Sequence, residues 1–279
     1  MKTFAARVAV ITGGASGLGR ALAFRFAREG VKIALADVDE DALAETKAAL
    51  ADAGGDAIAV RCDVSSGADV EALAARTLDA FGAVHIVCNN AGVAPLGLVW
   101  ESTVADWQWT LGVNLWGVIH GVRVFTPILL RQADEGHIVN TASVAGLIAP
   151  PGMGAYNVSK HAVVALSETL HHDLAARNAR VKCSVACPAF FPSGIHESER
   201  SRPAALREAR PKSAEDLARD AMLVKATTSG RLSADDIAER VFEAVRDERF
   251  YVLTHPRINP SIERRLREVL EARNPTSPT

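Results

Sequence analysis

Tyr156 and Lys160 stand four residues apart in Tyr156-Asn157-Val158-Ser159-Lys160, and Ser143 lies thirteen residues before the tyrosine. If the run from Tyr156 is helical, that spacing puts the phenol and the ammonium on one face. A phenol with an ordinary pKa near ~10 is a poor base at neutral pH. A neighbouring ammonium stabilises the phenolate and brings it toward the working range. The pair could therefore exchange a proton with an oxygen that Ser143 holds. A Tyr-x-x-x-Lys match also arises by chance on surface helices, so its position in the chain has to carry the reading.

That position is informative. Thr12-Gly13-Gly14-Ala15-Ser16-Gly17-Leu18-Gly19 follows the first apolar run and opens the first helical pattern. Glycine there lets the chain turn sharply and lets a pyrophosphate approach the N–H groups of a helix start. Gly13, Ser16, Gly17, Leu18 and Gly19 are the cofactor-facing candidates. Asp37 ends the second apolar run, eighteen residues after Gly19. A carboxylate there accepts from an adenosine 2′-OH and repels a 2′-phosphate. No lysine or arginine lies between Gly13 and Gly19 to offset that repulsion, so NAD is expected over NADP. The alternative for Asp37 is a solvated carboxylate at a strand end.

Seven short runs rich in small and branched apolar residues read as strands: Val8–Thr12, Lys32–Asp37, Ala57–Asp63, Val84–Asn89, His137–Ser143, Val181–Cys187 and Phe250–Thr254. Helical patterns lie between them at Leu18–Arg28, Asp41–Ala53, Asp69–Phe81, Ala105–Arg131 and Tyr156–Arg177. The alternation implies an α/β fold, a doubly wound parallel sheet of about seven strands with helices on both faces. Ligands in such sheets bind beyond the carboxyl ends of the strands, where the glycine loop, Asp37 and Ser143 fall. One domain is expected over 1–255, with a C-terminal extension over 256–279 that frays from Asn274. Within the domain, 195–232 breaks the rhythm. It holds Pro203 and Pro211, and from His196 to Asp220 six basic residues balance six acidic ones. It is expected to be a partly helical lid over the site.

Net charge is −2, from 31 basic and 33 acidic residues, which argues against nucleic-acid or anionic-membrane partners. No signal-peptide core is seen, and apolar runs break before the ~20 residues of a membrane helix, so a soluble, cytoplasmic protein is expected. Cys62, Cys88, Cys183 and Cys187 form no Cys-x-x-Cys pair and read as buried thiols, with no metal site.

Taken together, these motifs resemble the short-chain dehydrogenase/reductase family from Arg7 to about His255. Thr12-Gly13-x-x-x-Gly17-x-Gly19 matches the family's cofactor loop, and Asp63-Val64 the pair whose acid meets the adenine amino group. Asn89-Asn90-Ala91-Gly92 matches the motif after the fourth strand, which supports the sheet and lines the cofactor with Asn90, Ala91 and Gly92. Asn114, in Val113-Asn114-Leu115, matches the catalytic asparagine, and Ser143, Tyr156 and Lys160 complete the tetrad. The resemblance implies that Tyr156 is the acid–base and that Lys160 tunes it while binding the nicotinamide ribose. It further implies that Ser143 orients the substrate oxygen, and that Asn114, in a helix irregularity, holds a water linking Lys160 to solvent.

One segment departs from the family. After the sixth strand Pro-Gly and a later threonine are usual, but this chain has Pro188-Ala189-Phe190-Phe191-Pro192-Ser193. Pro188, Phe191 and Ser193 are nonetheless expected beside the nicotinamide carboxamide.

Val93, Leu96, Val144, Met153 and Phe190 are the pocket candidates, and their apolar character suits a hydrophobic secondary alcohol or ketone. Lid arginines or His196 could meet a polar substituent. His161 faces away from the Tyr156–Lys160 stripe and is a weaker acid candidate. Trp100, Trp107, Trp109 and Trp116 cluster near the long helical pattern. In the family that helix and the one from Tyr156 pack between subunits, implying a homotetramer or dimer. The competing readings are an NADPH-preferring carbonyl reductase, a non-catalytic dinucleotide sensor and a sugar-nucleotide epimerase. The intact tetrad argues against the sensor, and the modest chain length against the epimerase.

Overall fold

Seven strands in the order β3-β2-β1-β4-β5-β6-β7 form one sheet, and every neighbouring pair is parallel. The strands are β1 (Val8–Thr12), β2 (Lys32–Asp37), β3 (Ala57–Arg61), β4 (Ile86–Asn89), β5 (Gly136–Thr141), β6 (Val181–Cys187) and β7 (Tyr251–Leu253). The coordinates are a computed structural model that describes residues 1–132, 134–207 and 213–278. The expected fold class is the observed one.

Parallel strands need crossovers, and helices supply them on both faces. On one face α1 (Gly17–Ala27), α2 (Glu40–Asp52) and α8 (Ala234–Asp247) bury Leu22, Phe26, Leu43, Leu50, Val241 and Phe242 with Ile11, Ile33 and Leu35 of the sheet. On the other, α3 (Gly67–Phe81), α5 (Gly117–Arg131) and α6 (Gly154–Ala176) bury Leu73, Phe125, Leu129, Leu170 and Leu174 with Val10, Val87 and Ile138. The four residues of β4 and six of β5 are all buried, as strands covered on both faces must be. Side chains fix where helices start. Asp39 caps α2, Ser66 caps α3, and Ser233 with Asp236 makes a reciprocal capping box at α8.

Several boundaries differ from the sequence reading. β3 stops at Arg61, because the chain turns there: Ser66 N donates to Asp63 O at 2.9 Å. The expected helix Ala105–Arg131 is α4 (Val104–Leu111) and α5 joined by a wider turn at Gly112–Trp116, in which Gly117 N donates five residues back to Gly112 O. Taken as one run, Val104–Arg131 is long and apolar enough to cross a bilayer, contrary to the expectation that no run is. Its α5 part lies against β4 and β5 within the domain.

The segment expected as a lid has short turns at Gly194–Ser201 and Ala204–Leu206, then α7 (Ala214–Thr228). Its Glu208, Arg210, Pro211 and Lys212 lie outside the described residues. The C-terminal extension forms α9 (Asn259–Leu270), a helix the sequence reading lacked. Expected to fray, the tail is instead tied back, with Thr276 giving N–H and hydroxyl bonds of 3.2 and 2.6 Å to the Glu268 carboxylate. Thr279 is outside the described residues.

Candidate active site

The strand ends of β1, β4 and β5 open onto a cleft of about 540 Å³. At its floor α6 starts at Gly154, so Tyr156 and Lys160 lie within its first two turns, both buried. The Lys160 ammonium donates to Thr141 O at 2.9 Å and stands 5.6 Å from the Tyr156 ring centre. Ser143 follows β5, and its hydroxyl accepts from Ala145 N at 3.1 Å and donates to Pro188 O at 3.3 Å. The same hydroxyl is close enough to the Tyr156 phenol to favour its ionised form.

Electrostatics at this floor are set by burial. Desolvation raises the Tyr156 pKa above its usual value and outweighs the opposing effect of Ser143. Desolvation also pushes Lys160 down to about 8. The lowering expected from Lys160 together with a positive nicotinamide is therefore not present in the protein by itself. In the protein by itself, the cost of burying a phenolate dominates.

Asn114 sits in the wide turn before α5 and is fully buried. Its Oδ1 accepts from Val93 N at 2.8 Å, and its Nδ2 donates to Val93 O at 2.9 Å and Ser159 Oγ at 3.2 Å. It does not face the cleft directly. Gly92 lies between it and Lys160: a methyl group on Gly92 would stand 3.5 Å from Asn114 Oδ1 and 3.6 Å from Lys160 Nζ. A space bounded by both polar groups is thus kept open.

The glycine loop forms the other end. Gly13 (φ +64°) and Gly17 (φ +50°) hold left-handed backbone that favours glycine. A Cβ on Gly13 would meet Ala91 Cα at 2.9 Å, whereas one on Gly17 would meet only Ser193 Cβ, at 3.8 Å. Gly17 thus faces open cleft. Gly19 does not line it. A Cβ there would lie 1.9 Å from Gly13 O, so its role is the close return of α1 onto the loop. Ser16, at the N-cap of α1, makes no capping bond, and its side chain and Leu18 border the cleft. Asn90 Nδ2 donates to Thr12 O at 3.1 Å and ties the β4 motif to the loop. The Asp37 carboxylate accepts from Ala15 N (3.1 Å), Val38 N (2.8 Å) and Asp39 N (3.3 Å), which aims it across the loop. Asp63 and Val64 also border this end.

Opposite the loop the lining is apolar. Val93, Val144, Met153 and Phe190 border the cleft as expected, whereas Leu96 stands behind it against Met153 and Tyr156. Pro188, Phe191 and Ser193 line it too. Sequence reasoning missed Ile148, Ile195, Leu206, Leu223 and Ile258, which close this end. It also missed Ser198, whose hydroxyl accepts from Ala94 N at 3.2 Å and pins the segment after β6 over the cleft. No local pattern marks these residues, because long-range packing brings them there. His161 turns back on its own helix, with Nδ1 2.9 Å from Asn157 O. The four cysteines are buried, and burial pushes each thiol up to about 12.

A doubly wound sheet with a glycine loop at one end of this cleft and a buried Tyr–Lys pair at its floor defines a dehydrogenase. The chain belongs to the short-chain dehydrogenase family, whose model matches residues 7–204. Among solved structures it is similar to a short-chain dehydrogenase/reductase from Burkholderia phymatum in complex with NAD, with 54% identity, TM-score 0.98, and 100% and 99% of the two chains covered. Among curated proteins it is similar to the CLA biosynthesis dehydrogenase/reductase of Lactiplantibacillus plantarum, with 34% identity over 97% of this chain and 95% of that one. It also resembles the 1-deoxy-11-beta-hydroxypentalenate dehydrogenase of Streptomyces exfoliatus, with 36% identity over 89% and 83% of the two chains.

Proposed function

We propose that this enzyme interconverts a hydrophobic secondary alcohol and its ketone with NAD(H), using Tyr156 as general acid–base. The observation that carries the proposal is the buried Tyr156 phenol, beside Ser143 and Lys160, at the junction of the glycine-loop and apolar ends of one cleft. The residues present fit a dinucleotide. Gly17 leaves room at a helix start, Ser16 keeps its hydroxyl uncommitted to capping, and Asp37 offers a fixed carboxylate to a ribose. Asp37 also opposes a 2′-phosphate, which favours NAD over NADP. The Burkholderia protein's complex with NAD supports the same choice.

When bound, the nicotinamide supplies the hydride acceptor or donor and, when oxidised, a positive charge near the phenol. The chain's own residues handle the proton. Ser143 orients the substrate oxygen, and Tyr156 takes its proton in oxidation or returns it in reduction. Lys160 binds the ribose and holds charge beside the phenol. Asn114, across the space left by Gly92, completes a route for the proton to solvent. Pro188, Phe191 and Ser193 shape the carboxamide side. Val93, Val144, Met153 and Phe190 exclude water from the reacting carbon.

One relative, the Streptomyces protein, is by name a dehydrogenase of a hydroxypentalenate. The apolar lining of the cleft suits a hydrophobic alcohol. Trp116 and Val158, on the surface by α5 and α6, are large apolar side chains left exposed, which supports assembly through those helices. A screen of hydrophobic secondary alcohols for NAD⁺ reduction at 340 nm tests the reading, and no turnover with any of them would overturn it.

A further inference from the structure

The segment that departs from the family, Ala189–Ser193, is held from two sides by residues outside the motifs. On one side is His255, just beyond β7. Its Nδ1 lies 3.2 Å from Ala189 N and 2.8 Å from Thr254 Oγ1. A backbone N–H can only donate, so Nδ1 is the unprotonated ring nitrogen, the Thr254 hydroxyl donates to it as well, and the ring proton is on Nε2. Thr254 is fully buried, and its carbonyl accepts from the Arg240 guanidinium of α8. The ring is therefore anchored through β7 and α8. Burial, and then the Arg240 charge, lower the His255 pKa, which keeps the accepting form.

On the other side is Gly230. A Cβ there would come within 2.7 Å of Phe191 Cα and 3.0 Å of Phe190 O. The backbone at 190–192 thus presses directly against the loop after α7. Pro188 O, just upstream, is fixed by Val144 N at 3.0 Å, so Ala189 is where the chain leaves the strand rim and enters the cleft wall.

We propose that His255 is a positioning residue for the cofactor: through Ala189 N it sets the path of the Ala189–Ser193 wall against the nicotinamide, with Gly230 as the backstop. The His255 acceptor fixes the Ala189 peptide. The inference rests on the NAD reading above. It adds a specific dependence, because the ring acts only through the backbone and touches no reacting atom.

The test uses full-length enzyme and NADH fluorescence titration, with KM for NAD⁺ and kcat alongside. His255→Phe keeps a ring of similar size but has no acceptor. His255→Asn is smaller but restores an acceptor. His255→Phe should raise the Kd for NADH and the KM for NAD⁺ roughly tenfold, the worth of one buried hydrogen bond, while kcat at saturating NAD⁺ changes less. His255→Asn should recover most of that loss, which a packing role for the ring would not allow. Gly230→Ala, pressing from the opposite side, should weaken NADH binding as well. Wild-type NADH affinity in folded His255→Phe overturns the proposal. If that variant does not fold, wild-type affinity in Gly230→Ala overturns it. A wild-type enzyme that binds no NADH overturns the cofactor reading itself, a separate outcome.

Discussion

The Lys160 ammonium stands 5.6 Å from the centre of the Tyr156 ring and spends one of its three protons on Thr141 O at 2.9 Å. That bond fixes the cation beside the phenol, not on it, and leaves two donors for a ligand. Burial works on both groups at once, raising the phenol and pushing the ammonium down to about 8. At neutral pH the phenol is thus held neutral, while Lys160 keeps most of its charge.

Tyr156→Phe removes the proton-transfer group and little volume. Turnover should fall by about 10²–10⁴, the usual worth of a positioned acid–base, while NADH affinity stays within about threefold of wild type, below a 1 kcal/mol change. Steady-state rates and fluorescence titration on the same preparation check both halves. Retained turnover would end the proposed role of the phenol.

Lys160 carries a pH signature. Its folded-state pKa of about 8 lies below its ordinary 10.5. Between those values the unfolded chain holds more protons on this group, so its share of stability rises with pH. The burial penalty is full below about 8 and relieved by about 10.5. Lys160→Met lacks the titration. The stability of the variant relative to wild type should therefore fall as pH rises through that window. Urea midpoints at several pH values measure it, and a pH-independent difference would contradict the assigned burial.

Asp37 accepts three backbone N–H groups and still presents a carboxylate at the glycine-loop end of the cleft. Asp37→Ala should lower kcat/KM with NAD⁺ and raise it with NADP⁺, shifting the preference by roughly tenfold or more, the scale of one removed charge repulsion. Competition kinetics with both cofactors give the ratio. An unchanged ratio would make Asp37 merely a clasp for the loop.

Much of this was legible in the sequence because it is local. Buried parallel strands are continuous apolar runs, so Val8–Thr12, Lys32–Asp37 and Val181–Cys187 have the same ends in both readings. The glycine loop and the Tyr156–Lys160 pair announce themselves by residue type and spacing. What was hidden depends on partners far along the chain. The wide turn at Asn114 is stabilised by Val93, twenty-one residues earlier, and no periodicity in Gly112–Trp116 betrays it. His255 is an unremarkable histidine until β7 sets it against Ala189, sixty-six residues away. The helix Ala234–Asp247, by contrast, is marked locally by its Ser233–Asp236 capping box and apolar stripe.

Arg202 shows how a charge read as lid surface becomes structural. It is only 8% exposed, donates to Asp106 Oδ1 at 2.6 Å and Glu199 Oε1 at 3.3 Å, and lies 5.0 Å from the Trp109 ring centre. Asp106 serves at the same time in the capping box of α4 with Thr103. Burial works against its carboxylate, but the bonds from Thr103 and Arg202 prevail and hold its pKa below the usual range. The pair therefore latches the segment after β6 onto α4. Arg202→Met keeps the apolar stem over Trp109 and leaves the capping box intact, so α4 should persist. Losing a charged hydrogen bond of about 1.5–3 kcal/mol should free the latch and raise the open fraction roughly 10- to 100-fold. Trypsin should then cut at Arg200 or Arg207 sooner than in wild type, and the KM for the alcohol should rise more than kcat falls. Unaltered cleavage with an unaltered KM would show that the segment stays closed without Arg202.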